Sequence, residues 1–536
     1  MRCFAAPIAL FGCCGCLLFA GVKAQDEVAG EDAQVEIALA QGGYTTSATA
    51  NDIAVGGVWQ DDLLYVAITT GGSLEENSFG GTDIVLISYT EDLVEVETTQ
   101  IGGSGDDIIK AISIEGSTLT GIVIVGSTAV SDDDDSDLLF GLETAPGETD
   151  WFIAIVDNSL NVANAYVNGT AFDVEQATAV GADADGEGYY VAGLTFGDYI
   201  DDNLGTGTSD AWVLKINADL DDIEWQWQFG TTVNDVPSAL VVGDSAVYVV
   251  GTTSDFDGDL TSDEEEETAP IFVCAYDLED GGDGEEWCVA NDEIGVMSDA
   301  TEAHGAVLSE DGTELFVSGH TEGVIPGFDG EATDGAELFV MSVDVDDGTV
   351  NWVWQSETNA TAFGRGGVVM ADDGVSPIVA GIAFGNLFNL SFTYWEGGSG
   401  DMVAAKIDPD DLEVSKYYVA AAATNLTREE AFAMVKDPDV TDGVFLIGAQ
   451  DGVFDDEDFE PEEDPDSESG ENLYNYLTLK VQLEVLPEDE EEDTGPDYPY
   501  WYIGVPLFAA GGILFVVAYK WSAASQAAKA KQASMI

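Results

Sequence analysis

Basic residues are scarce in this chain, and their scarcity excludes several classes of partner. The 536 residues include 13 lysines and arginines, two histidines and 105 acids, which gives a formal net charge of −92 at pH 7. Repulsion at this charge density disfavours nucleic acid and anionic lipid headgroups. Two explanations of the charge stay open: a solvated acidic surface suited to a salty medium, or a surface that attracts multivalent cations or a basic partner.

Catalytic motifs are also lacking. The sequence contains no G-x-S-x-G, no P-loop, no H-E-x-x-H and no pair of C-x-x-C motifs. We interpret the two histidines, His304 and His320, as structural residues near strand ends. We therefore predict no catalytic or cofactor-binding residue, and an enzyme is kept as an alternative.

Long apolar runs occur only at the two ends of the chain. Residues 1–24 combine Arg2, an apolar run and small residues before Gln25, which is typical of a signal peptide. Residues 501–519 are uncharged and close to the ~20 residues that a membrane-spanning helix needs; a buried core helix is the alternative. Lysines occur in residues 520–536 and acids precede the span, so we expect a single-pass type I membrane protein with a cytosolic tail.

Cysteine is nearly absent from the part of the chain that this topology places outside the cytosol. Four of the six cysteines lie in residues 1–24, which leaves Cys274 and Cys288. They are symmetric about Gly281, so a hairpin that turns there would bring them together. A single pair in an oxidising compartment predicts a disulfide, and two free buried thiols are the alternative.

Four N-x-S/T sequons occur on the same side of the predicted span. We predict glycosylation at Asn168, Asn359, Asn389 and Asn425, which agrees with a secretory-pathway protein.

The middle of the chain repeats one unit seven times. The phrase YVAG at residues 190–193 recurs in diverged form, and its fourth position is spaced by roughly 60 residues. These fourth positions are Ile68, Gly126, Gly193, Gly251, Gly319, Gly381 and Gly448. A second phrase of eight residues follows each copy and begins at Asp83, Asp150, Asp210, Pro270, Glu337, Asp401 and Asn475.

Each unit contains four short apolar or aromatic runs bounded by turn residues, which predicts four β-strands. Seven such units predict an all-β fold, a seven-bladed β-propeller, in preference to a linear β-solenoid. Residues 34–51 resemble the fourth strand of a unit, whereas the seventh unit lacks its own. We expect this N-terminal strand to close the last blade and to remove two open sheet edges.

The segments at residues 185–217 and 100–114 carry a family resemblance. DGEGYYVAGLT followed by TSDAWVLKIN, with connections such as QIGGSGDDIIKAISI, resembles the seven-bladed β-propeller repeat of many secreted and surface proteins. The resemblance covers roughly residues 34–486 and implies a fold without a catalytic set.

The remaining segments complete the predicted organisation. A short segment, 25–33, precedes the propeller of residues 34–486, and an acidic low-complexity insertion occupies 455–471 in its last unit. Residues 487–500 form a proline-containing acidic stalk ahead of the span at 501–519.

One loop has spacing suited to a hard cation. Asp255, Asp257, Asp259 and Asp263 place carboxylates at positions 1, 3, 5 and 9 of a loop, which is the arrangement in calcium-binding loops. Calcium is thus a candidate ligand, and a solvated acidic loop is the alternative. The tryptophan pairs Trp225/Trp227 and Trp352/Trp354, together with Trp287, are expected to pack between blades, with a sugar platform as the alternative.

The sequence predicts a membrane-anchored binding, adhesion or recognition module whose propeller loops contact a protein or glycan. A carbohydrate-active or other enzyme that uses the central pocket is one alternative, and a trafficking receptor is another. A cluster of acids and aromatics at the mouth of the channel would distinguish the enzyme.

Overall fold

The computed structural model describes most of the repeated region. The residues described are 38–42, 52–72, 81–114, 121–129, 139–142, 149–170, 174–197, 199–200, 209–230, 234–254, 271–278, 285–290, 301–325, 327–328, 335–356, 361–384, 400–419, 428–451, 474–485, 508–509 and 512–513.

Seven antiparallel sheets follow one another along the chain, and each is one blade. Blade 1 contains β2 (Asp52–Gln60), β3 (Leu63–Thr70), β4 (Asp83–Tyr89) and β5 (Glu95–Ile101). Blade 2 contains β6 (Asp107–Ile114), β7 (Gly121–Thr128), β8 (Asp150–Asp157) and β9 (Val162–Asn168), with a short 3₁₀ helix at Leu139–Gly141. Blade 3 contains β10 (Glu175–Ala182), β11 (Gly188–Thr195), β12 (Asp210–Asn217) and β13 (Ile223–Phe229).

Blade 4 contains β14 (Asn234–Val242), β15 (Ala246–Ser254), β16 (Ile271–Asp277) and β17 (Glu285–Ala290). Blade 5 contains β18 (Thr301–Leu308), β19 (Glu314–Thr321), β20 (Glu337–Asp344) and β21 (Val350–Gln355). Blade 6 has a divided first strand, β22 (Ala362–Phe363) and β23 (Val368–Met370), then β24 (Pro377–Ala383), β25 (Asp401–Ile407) and β26 (Val414–Val419). These boundaries confirm the first six of the predicted units.

The two ends of the propeller meet in blade 7. This blade contains β27 (Arg428–Lys436), β28 (Gly443–Asp451) and β29 (Tyr474–Gln482), and its fourth strand is β1 (Ala38–Gly42). β1 pairs antiparallel with β29, with Ala38 opposite Lys480. The predicted closure by an N-terminal strand is therefore confirmed. The chain then adds β30 (Glu484–Val485) to the outer strand of blade 6.

Each gap between neighbouring blades is filled by its own apolar cluster. Seven clusters occur among the described residues, and each combines side chains of two adjacent blades, including blades 7 and 1. Alternate residues of one strand enter the clusters on its two sides, as Tyr189 and Tyr190 do in blade 3. Because both faces of the central strands are buried, they appear in the sequence as continuous apolar runs.

The glycine of the YVAG phrase is explained by a β-bulge. In six blades the first strand carries one extra residue opposite the fourth position of the phrase, for example between Ala303 and Gly305 opposite Gly319. A Cβ on Gly319 would collide with the Glu302 carbonyl oxygen, and one on Gly126 would collide with that of Ile108. Blade 1 has Ile68 at this register position.

The first strand of each blade is the innermost, because the first strands of neighbouring blades contact one another around the ring. Their free edges therefore surround a central channel. We call the end of the propeller where second strands lead into third strands the BC face, and the opposite end the AB face. The first and third strands begin at the BC face.

The predicted disulfide is present. Cys274 on β16 lies opposite Cys288 on β17, and the two form a disulfide across the outer part of blade 4.

The predicted membrane span is not shown by the structure. Among the described residues, no helix has the length and apolar character needed to cross a membrane. Two paired strands of two residues each, β31 (Phe508–Ala509) and β32 (Gly512–Ile513), lie within 501–519. The signal peptide at 1–24, the segment 25–33, the insertion at 455–471, the stalk at 487–500 and the tail at 520–536 lie outside the described residues.

Candidate functional site

The bulge in each inner strand presents one side chain at the edge of the channel. The bulge residue has no partner in the register of the second strand, and an inner strand pairs on one side only. The side chain of Lys110 is exposed, and the others are half-buried. In blade 6 the irregular stretch between β22 and β23 takes the place of the bulge. From blade 1 to blade 7, the bulge positions hold Val55, Lys110, Thr178, Ser238, His304, Arg365 and Phe432.

Blade 5 brings both histidines of the chain into contact with a carboxylate. Glu302 and His304 lie two residues apart on β18, and His320 on β19 is directly opposite Glu302. His304 Nε2 is 3.2 Å from Glu302 Oε2 and 3.2 Å from His320 Nδ1. His320 Nε2 lies 3.9 Å from Glu302 Oε2. We call Glu302, His304 and His320 the histidine cluster.

The three side chains of the histidine cluster differ in their access to solvent. The side chain of His320 is 4% exposed, that of His304 20% and that of Glu302 48%. The cluster is therefore anchored in the blade through His320 and opens toward the channel through Glu302.

Blade 6 contributes an aromatic ring and a cation beside the histidine cluster. The Phe363 ring meets His320 edge to face, with centroids 4.8 Å apart, and Phe384 packs on Phe363 at 6.1 Å. The guanidinium carbon of Arg365 lies 5.6 Å from the Phe363 centroid, a cation–π contact. An acid, two imidazoles, an aromatic ring and a guanidinium thus converge between blades 5 and 6.

Hydrogen bonds at the BC face fix the strand ends that carry the histidine cluster. The hydroxyls of Thr301 and Thr321 are 2.6 Å apart, one residue from Glu302 and His320 respectively. The Gln355 amide donates to the Gly323 carbonyl and to Glu337 Oε2, both at 2.9 Å, and accepts from the Ile325 N–H. Blade 5 therefore holds the loop that follows His320 in a defined position.

Electrostatics keep His320 neutral and Glu302 ionised at neutral pH. Burial, followed by the charges of His304 and Arg365, lowers the pKa of His320 well below its usual range. The hydrogen bond from His304 and the nearby cationic groups lower the pKa of Glu302. The site can therefore offer a neutral imidazole and a carboxylate at the same time.

A second cation lies at the bulge of blade 2, in another sector of the channel. The Lys110 side chain is exposed to solvent, yet surrounding protein desolvates it and lowers its pKa. This combination fits a side chain in a water-filled channel. Two of the few bases of the chain, Lys110 and Arg365, therefore lie on the channel wall.

Acids at the AB face are neutralised by lysines. Lys480 Nζ lies 2.7 Å from Glu91 and 3.1 Å from Asp437, so it bridges blades 7 and 1. Lys406 and Lys416 of blade 6 both contact Asp442 of blade 7, at 3.2 Å and 2.6 Å. The acidic group around Asp437 is therefore paired with a lysine.

Only some of the sites that the sequence predicts lie within the residues that the structure describes. Asp255, Asp257, Asp259 and Asp263 lie outside the described residues, as do Asn359, Asn389 and Asn425. Asn168 is half-buried at the end of β9, and its amide donates to the Tyr199 hydroxyl at 3.3 Å. Calcium binding and glycosylation at these positions stay predictions.

The tryptophans pack between blades, as the sequence predicts. Trp225 is buried in the cluster between blades 3 and 4, and Trp354 in the one between blades 5 and 6. Trp287 packs at the gap between blades 4 and 5 and donates to the Val345 carbonyl at 3.0 Å.

The histidine cluster is absent from the sites predicted by sequence reasoning. The interpretation of His304 and His320 as structural residues explains the burial of His320 but not the contacts that both make. One signal was available: all the histidine of the chain falls in one unit, as E-x-H on the first strand and a second histidine on the next.

Comparisons with known proteins give no identity for this chain. The chain matches no protein-family model and no curated protein. Among solved structures it is similar to the Pyrococcus horikoshii acylaminoacyl peptidase, with 10% identity and a TM-score of 0.39 over 84% of this chain and 55% of that one. The chain thus spans about half the length of that peptidase.

Two isolated propellers are also similar. The β-propeller domain of the Trilobed protease from Pyrococcus furiosus matches with 9% identity and a TM-score of 0.38, over 82% of this chain and 100% of that one. The Dos1 propeller matches with 8% identity and a TM-score of 0.38, over 83% and 94%.

Proposed function

We propose that the chain is a recognition module that binds its ligand in the central channel, near the BC face, in the sector of blades 5 and 6. The observation that carries this proposal is the convergence of Glu302, His304, His320, Phe363 and Arg365 between blades 5 and 6. The bulge positions of blades 1, 3 and 4 hold Val55, Thr178 and Ser238, and those of blades 2 and 7 hold Lys110 and Phe432. Among the seven positions, only those of blades 5 and 6 place a histidine beside an arginine.

The scaffold favours binding to a preformed site. Seven interblade clusters and a strand that closes the ring hold the inner strands in fixed relation to one another. A rigid framework lowers the entropic cost of fixing a ligand. The side chains of this sector are therefore suited to recognise a ligand without rearrangement of the blades.

The chemistry of the site favours a ligand that carries an anionic group next to a ring or apolar face. Arg365 provides the cation and Phe363 the stacking surface, while the rest of the protein is strongly acidic. An acidic glycan or a carboxylate-bearing protein segment meets this description, and the loops of the BC face would contact the remainder of the ligand.

We further propose that the propeller faces the non-cytosolic side of a membrane, anchored by residues 501–519. The predicted signal peptide, the sequons, the Cys274–Cys288 disulfide and the charge asymmetry around the span support this topology. Protease protection of the chain in microsomes tests it: a protected propeller with an accessible tail supports the topology, and a digested propeller contradicts it.

The binding proposal is tested with the full chain in detergent, screened against arrays of glycans and peptides. We expect Arg365→Gln to weaken binding of the best array ligand at least about tenfold, because a charge-assisted contact is lost. Ser238→Ala, at the bulge of blade 4, is the matched control and should bind as the wild type does. Equal binding by Arg365→Gln and the wild type would contradict this placement of the site.

Acid–base catalysis on a ligand in the same position is a second candidate function. It is favoured by an ionised Glu302 within 3.2 Å of His304 and beside a neutral His320. Catalysis would be supported if the wild type hydrolyses chromogenic glycosides or peptides and Glu302→Gln does not. Binding without hydrolysis by the wild type would contradict catalysis and support recognition.

A further inference from the structure

We propose that Glu302, His304 and His320 bind one divalent transition-metal ion of the zinc class. This inference deepens the function proposed above because the metal would lie within that binding site. The binding of the metal alone does not depend on which ligand the propeller recognises, so the two can be tested separately.

The donor atoms of the histidine cluster already have the spacing of a metal site. Ligands about 2.0–2.2 Å from a tetrahedral zinc ion are separated from one another by roughly 3.3–3.6 Å. His304 Nε2 lies 3.2 Å from both Glu302 Oε2 and His320 Nδ1, and one donor atom from each residue lies within 4.8 Å of the others. The Glu302 side chain, the most exposed of the three, can rotate to bring its carboxylate oxygen toward both imidazoles.

The backbone positions the donors before any ion binds. The bulge at residue 304 turns its imidazole toward the side chain of residue 320, and the register places Glu302 opposite His320. Thr301 and Thr321 hold the two strand ends together, and Phe363 packs against the His320 ring. The site is therefore preorganised by strands rather than by a loop.

The donor set selects the class of ion. Two imidazole nitrogens and one carboxylate oxygen suit zinc and its neighbours in the first transition series, whereas calcium and magnesium prefer oxygen ligands alone. Three protein ligands leave a fourth position open, and Glu302 and Arg365 place it on the channel side of the cluster. An anionic group of a ligand can occupy that position beside the Arg365 guanidinium.

The test uses the full chain in detergent, stripped of metal with a chelator and then titrated with zinc chloride in the presence of millimolar calcium. Calcium occupies the many acidic surface groups, so tight zinc binding reports the histidine cluster. We expect one zinc ion per chain, and we expect His304→Gln and His320→Gln each to weaken its binding at least about 100-fold. Glu322→Gln, an exposed neutralisation two residues from His320, is the matched control and should bind as the wild type does.

A second measurement needs no variant. X-ray absorption of the zinc-loaded wild type should show two imidazole ligands, and an oxygen-only shell would overturn the proposal. Zinc binding that is unchanged in both histidine variants would overturn it as well. If zinc binds as expected but Arg365→Gln does not affect ligand capture, the metal site stands and the placement of the ligand fails.

Discussion

The two faces of the propeller stabilise buried acids in different ways. At the AB face, Asp442, Asp437 and Asp183 are paired with lysines, and five of the eight bases between residues 25 and 499 are used there. At the BC face, Asp107 accepts hydrogen bonds from the Thr128 hydroxyl at 2.6 Å and from the Gly103 N–H.

This difference reverses the sign of the pKa shifts. Burial raises the pKa of Asp107 to about 6, and its hydrogen bonds and the nearby acids Asp83 and Asp106 only modify that effect. Burial alone would raise the pKa of Asp442 as well, but Lys416 and Lys406 outweigh it and lower the pKa. The AB face is therefore stabilised by charge pairs, and the BC face by neutral hydrogen-bond donors.

Blade 5 departs from the pattern of the BC face. Where blades 1 to 3 carry Asp52, Asp107 and Glu175 against a threonine, blade 5 has Thr301 against Thr321. The acid on its first strand is Glu302, one residue further along and on the face that carries His304. A one-residue shift moves a side chain to the opposite face of a strand, so this acid lies beside His304 and its side chain is 48% exposed.

The largest expected effect comes from breaking the charge pairs of the AB face. Asp442→Asn should reduce the free energy of unfolding at pH 7 by about 3 kcal/mol, because Lys406 and Lys416 lose a buried partner. Asparagine also tolerates the left-handed backbone at this position, where φ is 52°. Denaturant unfolding measures the change.

The pH dependence of that loss is a further check. Because folding lowers the pKa of Asp442, its contribution is present above the pKa of the unfolded chain, ~3.8, and disappears as the pH falls through the folded value. The difference between Asp442→Asn and the wild type should therefore shrink below about pH 4. Asp410→Asn, at an exposed position, should change stability little at any pH, and an equal effect of both variants would contradict the account.

Asp107 should show the opposite pH dependence. Its folded pKa of about 6 exceeds the unfolded value, so protonation stabilises the native state. As the pH falls from 7 to 4, the wild type should gain up to about 3 kcal/mol relative to Asp107→Asn, at ~1.4 kcal/mol per pKa unit. Melting temperatures of both proteins across this range measure the gain, and parallel curves would show that Asp107 is not desolvated as described.

A smaller effect is expected from substitutions of the bulge glycines in blades 2 and 5. Gly319→Ala and Gly126→Ala place a Cβ against the carbonyl oxygen of a bulge, so each should cost about 1–3 kcal/mol of stability. Only Gly319→Ala displaces Glu302, so it alone should weaken zinc binding. Thermal melting and zinc titration of the two variants check this. Equal zinc affinity of the two variants would show that the bulge of blade 5 does not position the metal ligands.

The smallest effect is expected for the predicted calcium loop. If Asp255, Asp257, Asp259 and Asp263 bind calcium, chelation should lower the melting temperature by a few degrees at most, because one exposed loop is released. In Asp257→Asn, calcium should no longer raise the melting temperature, whereas zinc should raise it as in the wild type. An unchanged melting temperature on chelation of calcium would remove this site.

The sequence predicts the architecture because that information is local and repeated. The third strands begin at or within one residue of the predicted positions, from Asp83 to Tyr474, and the symmetry about Gly281 correctly pairs Cys274 with Cys288. The missing fourth strand of unit seven correctly predicts the role of β1. Each of these features depends on strand length and turn position, which the sequence shows directly.

The histidine cluster could not be predicted in the same way. Whether residue 304 faces a blade or the channel depends on the bulge between Ala303 and Gly305, and one extra residue in a strand leaves no distinct signal in the sequence. The contacts of Phe363 and Arg365 with this sector further depend on how blade 6 packs against blade 5. The site therefore could not be predicted from the sequence, because it depends on strand register and on packing between blades.

The central claim is the proposal that Glu302, His304 and His320 of blade 5 together bind one zinc-class ion. The melting temperature of the metal-stripped full chain, with and without zinc in millimolar calcium, tests it most directly. Zinc at about 100 times its dissociation constant should stabilise the wild type by about 2.7 kcal/mol, a rise of about 3 °C for a protein of this size. The same rise should be absent in His304→Gln and His320→Gln. An equal rise in all three proteins, or none in the wild type, would contradict the claim.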